Sequence, residues 1–404
     1  MTTAPPLPEG FLWGASTSPH QTEGGNVHSD WWFLENDPNS FVSERSGDAT
    51  DSYNRYPEDM RLLADAGLTA YRFGIEWARI EPAPGEFMQV ELDHYRRMIE
   101  TAQGLGLTPV VTLHHFTSPA WFAQQGGWLH PDAVDLFARY VEQAATILHD
   151  VQWVCTINEP NIIAAMAALM RNMADNSQNT QTDTAVTSLS LPTPDSEIAE
   201  ILTRAHKRAV GIVHANTPAK AGWTIAGQQL EPTPGNKEIF ERTRWEWEDR
   251  FLEVARGDDF VGIQAYTSQT VDADGIVAHP AHPDNTLSGW AYRPDALEMA
   301  LRHAWDITGG TPLLVTENGI STDDDDVRIR YTEAALAGLD NAVSDGLDVR
   351  GYLHWSALDN YEWGHWGPTF GLIAVDRTTF ERHPKPSLGW LGQHARTGIA
   401  QVTS

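Results

Sequence analysis

Two short apolar stretches of the chain each end in a glutamate. Residues 154–158 lead into Glu159, and residues 313–316 lead into Glu317. Runs of this kind that are closed by Pro or Gly are typical of buried strands, whose last side chain points beyond the sheet. Two carboxylates presented in this way favour acid/base chemistry on a glycosidic bond. The alternative is that each acid only caps a following helix or faces water.

These glutamates need a scaffold that brings distant strand ends together. Eight strand-like apolar runs alternate with stretches in which apolar residues recur every three or four positions, as in helices. Strand followed by helix, repeated in this way, predicts an α/β fold, a single (β/α)8 TIM barrel with long loops after its strands. The predicted strands are residues 11–16, 70–77, 108–115, 152–158, 222–228, 260–266, 313–317 and 351–355.

The length and composition suit one large core. The chain has 404 residues, of which 41% are hydrophobic, and it contains 16 Trp. No linker-like composition divides it, so we predict one domain over residues 1–404, with two smaller domains as the competing arrangement. The polar segment 172–194 shows neither periodicity and predicts a mobile loop on the rim of the barrel, on the face where barrel active sites are found.

The charge of the chain is strongly negative. It has 27 basic and 55 acidic residues, a formal net charge of −28, which disfavours nucleic acid, anionic membranes and phosphorylated substrates as partners. One cysteine, Cys155, allows no intrachain disulfide. Because the N-terminal residues lack a signal-peptide pattern and no window approaches the roughly 18 apolar residues of a membrane span, we predict a soluble cytoplasmic protein. The oligomeric state is unknown from the sequence.

Two features resemble metal sites at first sight. The acidic run 323–326 precedes a helical pattern over 327–342, and negative charge at a helix N-terminus is a sufficient explanation for it. His114 and His115 are adjacent in a predicted strand, so their side chains point to opposite faces and do not easily share an ion. We expect a core position for His114 and a ligand-binding one for His115, and we predict no metal and no cofactor.

Other predicted strand ends carry amide, carboxylate, imidazole and aromatic side chains. Sugars present hydroxyl edges and apolar C–H faces, so a sugar site combines bidentate polar groups with flat rings. Trp13, Trp153 and Trp223 lie in or beside strands and are assigned to the core. The remaining candidates are His20, Gln21, Arg72, Glu76, His114, His115, Asn158, Gln264, Tyr266, Trp355 and the loop 359–366.

The motifs resemble those of glycoside hydrolase family 1, the retaining β-glucosidase family. The resemblance runs from residue 11 to about residue 376. Its most specific parts are Thr-Ile-Asn-Glu-Pro at 156–160, Thr-Glu-Asn-Gly at 316–319 and Trp-Ser-Ala-Leu-Asp-Asn-Tyr-Glu-Trp at 355–363. These three motifs follow one another in the order of the family, each at a predicted strand end.

The resemblance implies a retaining β-glycosidase that hydrolyses terminal β-linked sugars, above all β-D-glucosides, through a covalent glycosyl-enzyme. Glu159 would be the general acid/base and Glu317 the nucleophile, with carboxyl groups roughly 5 Å apart. Arg72 and Tyr266 would support Glu317 and hold its pKa down, whereas a drier setting would raise the pKa of Glu159. The implied sugar-binding residues are Gln21, His115, Asn158, Trp355, Glu362 and Trp363.

Four positions depart from the family pattern. Phe116 stands where the family commonly has Trp, and Gln264 stands where it has Asn, which leaves the partner of the longer amide open. The stretch before Phe370 is one residue short, so the role of this ring as a pocket wall is open. Residues 161–194 do not follow the usual loop, which leaves the leaving-group side undefined.

Three alternatives remain at this point. A family branch that acts on 6-phosphorylated sugars is disfavoured because Glu362 is present and residues 364–369 contain no lysine, so the expected partner is a neutral β-glycoside or oligosaccharide. A transglycosidase would use the same two glutamates and pass the sugar to an alcohol. A third alternative is a sugar-binding protein without catalytic activity. In such a protein one of the two carboxylates would be expected to be lost, but Glu159 and Glu317 are both present.

Overall fold

Eight parallel strands close into a barrel. The structure is a computed structural model that describes residues 7–175 and 191–402. Neighbours in the chain are neighbours in the barrel, and the last strand pairs with the first, which closes the ring. The strands are β1 (Leu12–Ser16), β2 (Ala70–Gly74), β3 (Thr108–Thr112), β4 (Trp153–Asn158), β5 (Lys220–Gly227), β6 (Val261–Ala265), β7 (Leu313–Glu317) and β8 (Val349–Trp355). The predicted (β/α)8 TIM barrel is confirmed.

Several strands end earlier than the sequence predicts. Glu76 was predicted within the second strand, but β2 ends at Gly74, because the Glu76 carboxylate accepts a hydrogen bond from the backbone N–H of Ala78 (3.1 Å) and caps a short helix. Similarly, β3 ends at Thr112, so that His114 and His115 lie in the loop that follows. The apolar residues Ile75, Trp77 and Leu113, which extended the predicted strands, are buried without belonging to a strand.

Helices surround the barrel and short helices line its loops. The long helices are Ser52–Ala66, Gln89–Gly104, Ala133–Ala145, Pro160–Asp175, Ser196–Asn216, Ala296–Thr308, Asp325–Ser344 and Pro386–Val402. The short ones are Pro19–Thr22, Asp30–Asn36, Trp77–Ile80, Ala120–Gln124, Gly127–Leu129, Lys237–Arg244, Trp245–Asp249 and Arg250–Val254. Leu230–Pro232, Gln269–Asp272 and Gly275–Val277 form a small sheet beyond the barrel, and Ile373–Val375 pairs with Arg382–Pro384.

Most of the buried apolar residues of the barrel strands belong to two separate clusters. Trp13 and Trp223 belong to a large apolar cluster in which strands pack against helices, and they are 1% and 0% exposed. Trp153 belongs to a smaller cluster contributed by the barrel strands and their ends, together with Cys155. The assignment of these three indoles to the core is confirmed.

The acidic run 323–326 starts a helix, as predicted. The carboxylate of Asp324 accepts hydrogen bonds from the backbone N–H groups of Asp326 (2.9 Å) and Val327 (3.3 Å). The helix begins at Asp325, slightly before the predicted start.

The segment 172–194 was predicted as one loop, and this is wrong at its beginning. Residues 172–175 complete the helix Pro160–Asp175, whose Ala-, Met- and Leu-rich sequence favours helix. Residues 176–190 lie outside the described residues, and 191–194 have no regular structure. Among the helices of the described chain, none is long and apolar enough to cross a membrane.

Candidate active site

A cavity of about 840 Å³ opens where the barrel strands end. Both glutamates line it: Glu317 is the last residue of β7, and Glu159 directly follows β4. The β4 and β7 strands are separated by two strands in the ring, so the carboxylates approach the cavity from different directions. The barrel therefore brings together the two acids that the sequence places far apart.

Glu317 is held by three hydrogen-bond donors. Arg72 donates to its Oε1 atom (2.6 Å), and Tyr266 donates to its Oε2 atom (2.6 Å). Gln264 donates to Oε1 as well (2.7 Å). Arg72 and Tyr266 lie where the sequence predicts, against Glu317. Together the three contacts fix the position of the carboxylate and stabilise its ionised form.

Glu159 is positioned by its backbone instead. Its φ angle is 45°, a left-handed conformation that is uncommon for a residue other than glycine. Its N–H donates to the carbonyl of Thr224 (2.8 Å), and its own carbonyl accepts from the N–H of Ile163 (3.0 Å) in the first turn of the next helix. Glu159 thus occupies a sharp turn between strand and helix. Unusual backbone of this kind is concentrated at functional sites.

The two carboxyl groups differ in what acts on their pKa values. Withdrawal from water raises the pKa of Glu159 well above its usual range, and the nearby charge of Glu317 raises it further. Burial also raises the pKa of Glu317, while Arg72 and Tyr266 lower it. The donors predicted for Glu317 are present and act in the predicted direction, lowering its pKa against the larger opposing effect of burial. Glu317 remains the one of the pair whose charge is stabilised by contacts.

A network beneath the cavity connects Glu317 to Asn158. Arg72 donates its second terminal nitrogen to the Asn158 Oδ1 atom (2.5 Å), and Gln264 donates to the same oxygen (2.8 Å). Thr224 on β5 donates to it as well (3.0 Å). Gln264 therefore bridges Glu317 and Asn158. These two residues are the partners of the longer amide, which the sequence left undefined. Its own Oε1 atom is buried with no partner among the described residues.

Glu362 lines the same cavity and is held by two hydrogen-bond donors. Gln21 donates to its Oε2 atom (3.2 Å), and the Trp355 indole donates to its Oε1 atom (3.2 Å). Gln21 is itself oriented by Ser18, which donates to the Gln21 Oε1 atom (2.6 Å). Gln21, Trp355 and Glu362 all line the cavity, as the sequence predicts.

Flat rings stand side by side near this carboxylate. His115 lies roughly parallel to Trp355 (ring centroids 6.0 Å apart) and to Trp363 (6.4 Å). Burial holds the pKa of His115 well below its usual range, so the imidazole is neutral. Its Nε2 atom accepts from Asn158 (3.3 Å), and its Nδ1 atom has no partner in the described part of the chain.

Arg72 and Asn158 do not line the cavity themselves, and three further predicted candidates also lie outside its lining. His114 contacts Ser118 through Nε2 (3.0 Å), as a core histidine does, and Glu76 caps its helix. His20 stacks on Trp363 (5.8 Å between centroids) and pairs with Glu35 (3.3 Å). The role of His20 is therefore to position Trp363. Nothing in the sequence near Glu35 indicated this contact, because the pair forms between two separate short helices, Pro19–Thr22 and Asp30–Asn36.

The remaining departures from the family pattern lie at the cavity wall. Phe116 packs edge-on against Trp363 (5.0 Å) and contributes no hydrogen bond, unlike an indole. Phe370 lines the cavity beside Tyr266 (5.9 Å) and Trp290 (6.3 Å), so this ring is a wall.

Sequence reasoning missed one whole side of the cavity. The helix Pro160–Asp175 contributes only apolar side chains there, and Leu191 and Trp290 add to them. Helical spacing from Glu159 could have found this side, because residues three, four, seven and eight positions on lie on one face. The helical residues involved are Ile162, Ile163, Met166, Ala167 and Met170.

Outside the cavity lining, Glu248, Asp249 and His303 form a group of the kind that binds metals. His303 contacts Asp249 (2.7 Å), and Arg244 donates to the other oxygen of Asp249 (3.2 Å). Glu248 accepts from the backbone N–H of Gln229 (2.9 Å). These contacts give the group a structural role, fixing the turn after β5.

Comparisons with known proteins agree with this architecture. The family model described as glycosyl hydrolase family 1 matches residues 3–258 and 246–398. Thermostable β-glucosidase B of Thermobispora bispora is 30% identical over 95% of this chain and 89% of that protein. The crystal structure of β-glycosidase BGL167 is 42% identical, with a TM-score of 0.87 over 97% of this chain and 98% of that one. The β-glycosidase from Pyrococcus horikoshii is 32% identical, with a TM-score of 0.86 over 98% and 96% of the two chains. The chain belongs to glycosyl hydrolase family 1.

Proposed function

We propose that this enzyme is a retaining β-glycosidase that hydrolyses terminal β-D-glucosides, with Glu317 as nucleophile and Glu159 as general acid/base. The observation that carries the proposal is the unequal setting of two carboxylates in one cavity. Glu317 accepts hydrogen bonds from three donors, which favour its ionised form. The causes that raise the pKa of Glu159 are withdrawal from water and the neighbouring charge, which favour its protonated form.

The reaction then proceeds in two steps. The Glu317 carboxylate attacks the anomeric carbon while the bond from that carbon to the leaving oxygen breaks, and Glu159 gives its proton to that oxygen. The alcohol leaves, and the sugar remains as an ester of Glu317. Glu159, now ionised, takes a proton from water as the water oxygen attacks the anomeric carbon and releases Glu317. Each step inverts the carbon, so the overall configuration is retained.

The surroundings of the sugar support a neutral glucoside. No lysine or arginine is among the described residues that line the cavity, so a sugar phosphate beside Glu362 would lack a cationic partner. Glu362 and Gln21 offer paired oxygen and amide groups to neighbouring hydroxyls, and Trp355 offers a flat face to the ring. The β-glucosidase of Thermobispora bispora, as a relative, supports glucose as the sugar.

Azide rescue tests the two roles separately. In Glu317→Gly, turnover of an aryl β-glucoside should fall by at least about 10³-fold, and added azide should attack the anomeric carbon directly to give α-glucosyl azide. In Glu159→Ala, poor leaving groups should be slowed far more than good ones, and azide should give β-glucosyl azide from the glycosyl-enzyme. Product configuration by NMR and rates across a leaving-group series measure both effects.

Glu362→Gln is the matched control, since it alters a third carboxylate of the same cavity. It should slow hydrolysis without producing either azide adduct. Full activity of Glu317→Gly without azide would show that Glu317 is not the nucleophile. Equal slowing of substrates with good and poor leaving groups in Glu159→Ala would show that Glu159 is not the general acid.

The pH dependence gives an independent measurement of Glu159. The first step needs its protonated form, so kcat/KM should fall as the pH rises through its raised pKa. The alkaline limb of the wild-type profile should be absent in Glu159→Ala assayed with a good leaving group. Persistence of the same limb in that variant would assign it to another residue.

A further inference from the structure

The leaving group must lie next to the residue that protonates its oxygen. Under the proposed function this residue is Glu159, and the helix Pro160–Asp175 begins immediately after it. Asn161 anchors the first turn of this helix by donating to the carbonyls of Ala226 (2.7 Å) and Trp247 (3.1 Å). The helix face that borders the cavity is therefore held in place beside the leaving-group position.

That face is apolar along its length. Ile162, Ile163 and Met166 line the cavity near Glu159, and Met170 lines it one turn further out. The chain carries no charged residue between Glu159 and Arg171. Methionine side chains are flexible and polarisable, so they adapt to apolar ligands of varied shape.

Most polar side chains on this side are already engaged within the protein. Gln269 donates to Gln228 (2.7 Å), and Ser288 shares a hydrogen bond with Ser321 (2.8 Å). Thr267 donates to a backbone carbonyl (2.9 Å). A second sugar ring would need partners for several hydroxyls, and desolvating them without partners is costly. The Gln269 Oε1 atom has no partner in the described part of the chain, but it is itself buried.

The apolar surface continues outward. Leu287 lines the cavity mouth and is 49% exposed. Met173 follows Met166 and Met170 at helical spacing and is 39% exposed. Exposed apolar side chains that extend an apolar cavity wall are suited to an elongated ligand.

We propose that the leaving-group side accepts an extended apolar alcohol, of the long-chain alkyl type, in preference to a second sugar, and that Met166 and Met170 determine this specificity. The inference rests on the proposed function, because Glu159 defines which side of the cavity receives the leaving group. The alcohol would lie along the helix face, with its chain directed toward the cavity mouth.

A series of n-alkyl β-glucosides tests the inference, assayed below their critical micelle concentrations. Methyl through octyl glucosides have leaving alcohols of similar acidity, so a change in kcat/KM reports contacts with the chain. In the wild type kcat/KM should rise with each methylene, by up to about fourfold while the added group is buried. Octyl glucoside should be preferred over cellobiose.

Variants locate the contact. Met166→Gln and Met170→Gln should flatten the dependence on chain length, measured relative to the methyl glucoside of the same variant, and Met166→Leu should restore it. Leu169→Gln is the matched control, because Leu169 lies on the same helix and does not line the cavity. It should keep the wild-type slope.

The outcomes separate this inference from the proposed function. Hydrolysis of all alkyl glucosides at equal kcat/KM, or preference for cellobiose over octyl glucoside, would overturn the inference alone. A slope that Leu169→Gln flattens as much as Met166→Gln does would also overturn it. Absence of hydrolysis with every β-glucoside would instead overturn the proposed function.

Discussion

The two sides of the cavity are lined by side chains of different chemical character. On the proposed sugar side, Gln21, Trp355 and Glu362 are joined by hydrogen bonds, and the neighbouring rings are stacked. On the leaving-group side, the helix Pro160–Asp175 contributes Ile and Met side chains that make no hydrogen bonds through those side chains. One side fixes the positions of polar atoms, and the other offers a deformable apolar surface.

This difference indicates two kinds of selectivity in one cavity. A site that pairs each hydroxyl with a fixed polar group discriminates strongly, because a mismatched ligand leaves buried groups unpaired. An apolar pocket discriminates weakly, since each methylene changes the free energy of binding by only ~0.8 kcal/mol. We therefore expect strict selection of the sugar and graded selection of the alcohol.

The largest effect should come from the sugar side. Glu362→Gln removes a carboxylate that Gln21 and Trp355 orient, so kcat/KM should fall by at least about 10²-fold. The loss should be the same for methyl and octyl glucosides, because the hydrogen-bond partners of Glu362 are Gln21 and Trp355 and not residues of the helix Pro160–Asp175. Steady-state rates on both substrates measure it. A loss that depends on chain length would contradict the separation of the two sides.

A smaller effect should follow from loosening the nucleophile. Tyr266→Phe removes the hydrogen bond to Glu317 Oε2, so kcat should fall by about tenfold to a hundredfold. That hydrogen bond lowers the pKa of Glu317, so its loss raises this pKa and moves the acid limb of the pH profile to higher pH. Tyr292→Phe is the control, because Tyr292 is 37% exposed and lies outside the cavity lining. An unmoved acid limb in Tyr266→Phe would show that another group titrates there.

Hydrogen exchange should distinguish the two sides without catalysis. Octyl 1-thio-β-glucoside should slow amide exchange over residues 166–173 by a few-fold, because the chain packs on that helix face and disfavours local opening. Methyl 1-thio-β-glucoside should leave that stretch unchanged while protecting the loop that carries Glu362. Equal protection of 166–173 by both ligands would mean that the helix responds to the sugar.

The smallest effect should come from a conservative change on the apolar side. Met170→Leu preserves volume and apolar character, so kcat/KM on octyl glucoside should change by less than about threefold. Met170→Gln, which keeps the length of the side chain but adds an amide, should lower it more. The same response to both substitutions would indicate that shape rather than polarity selects the alcohol.

Much of the fold was predictable because its signal is local. Each barrel strand is a run of apolar residues, and each long helix repeats them at its own period, so neighbouring residues are enough to recognise both. Strand ends were harder to predict, as Glu76 shows: its cap on the following helix replaces strand pairing. The helical residues 172–175 were missed because the polar residues that follow them masked the end of the pattern.

The sequence by itself determined which groups lie at the strand ends, including Glu159, Glu317 and Tyr266, since a parallel barrel directs all strand ends to one face. Only the tertiary structure decided the partners of those groups. Gln264 bridges Glu317 and Asn158, and Met166 borders the space beside Glu159. Such contacts depend on the angles and distances at which separate strands and helices pack, and no local pattern of residues encodes them.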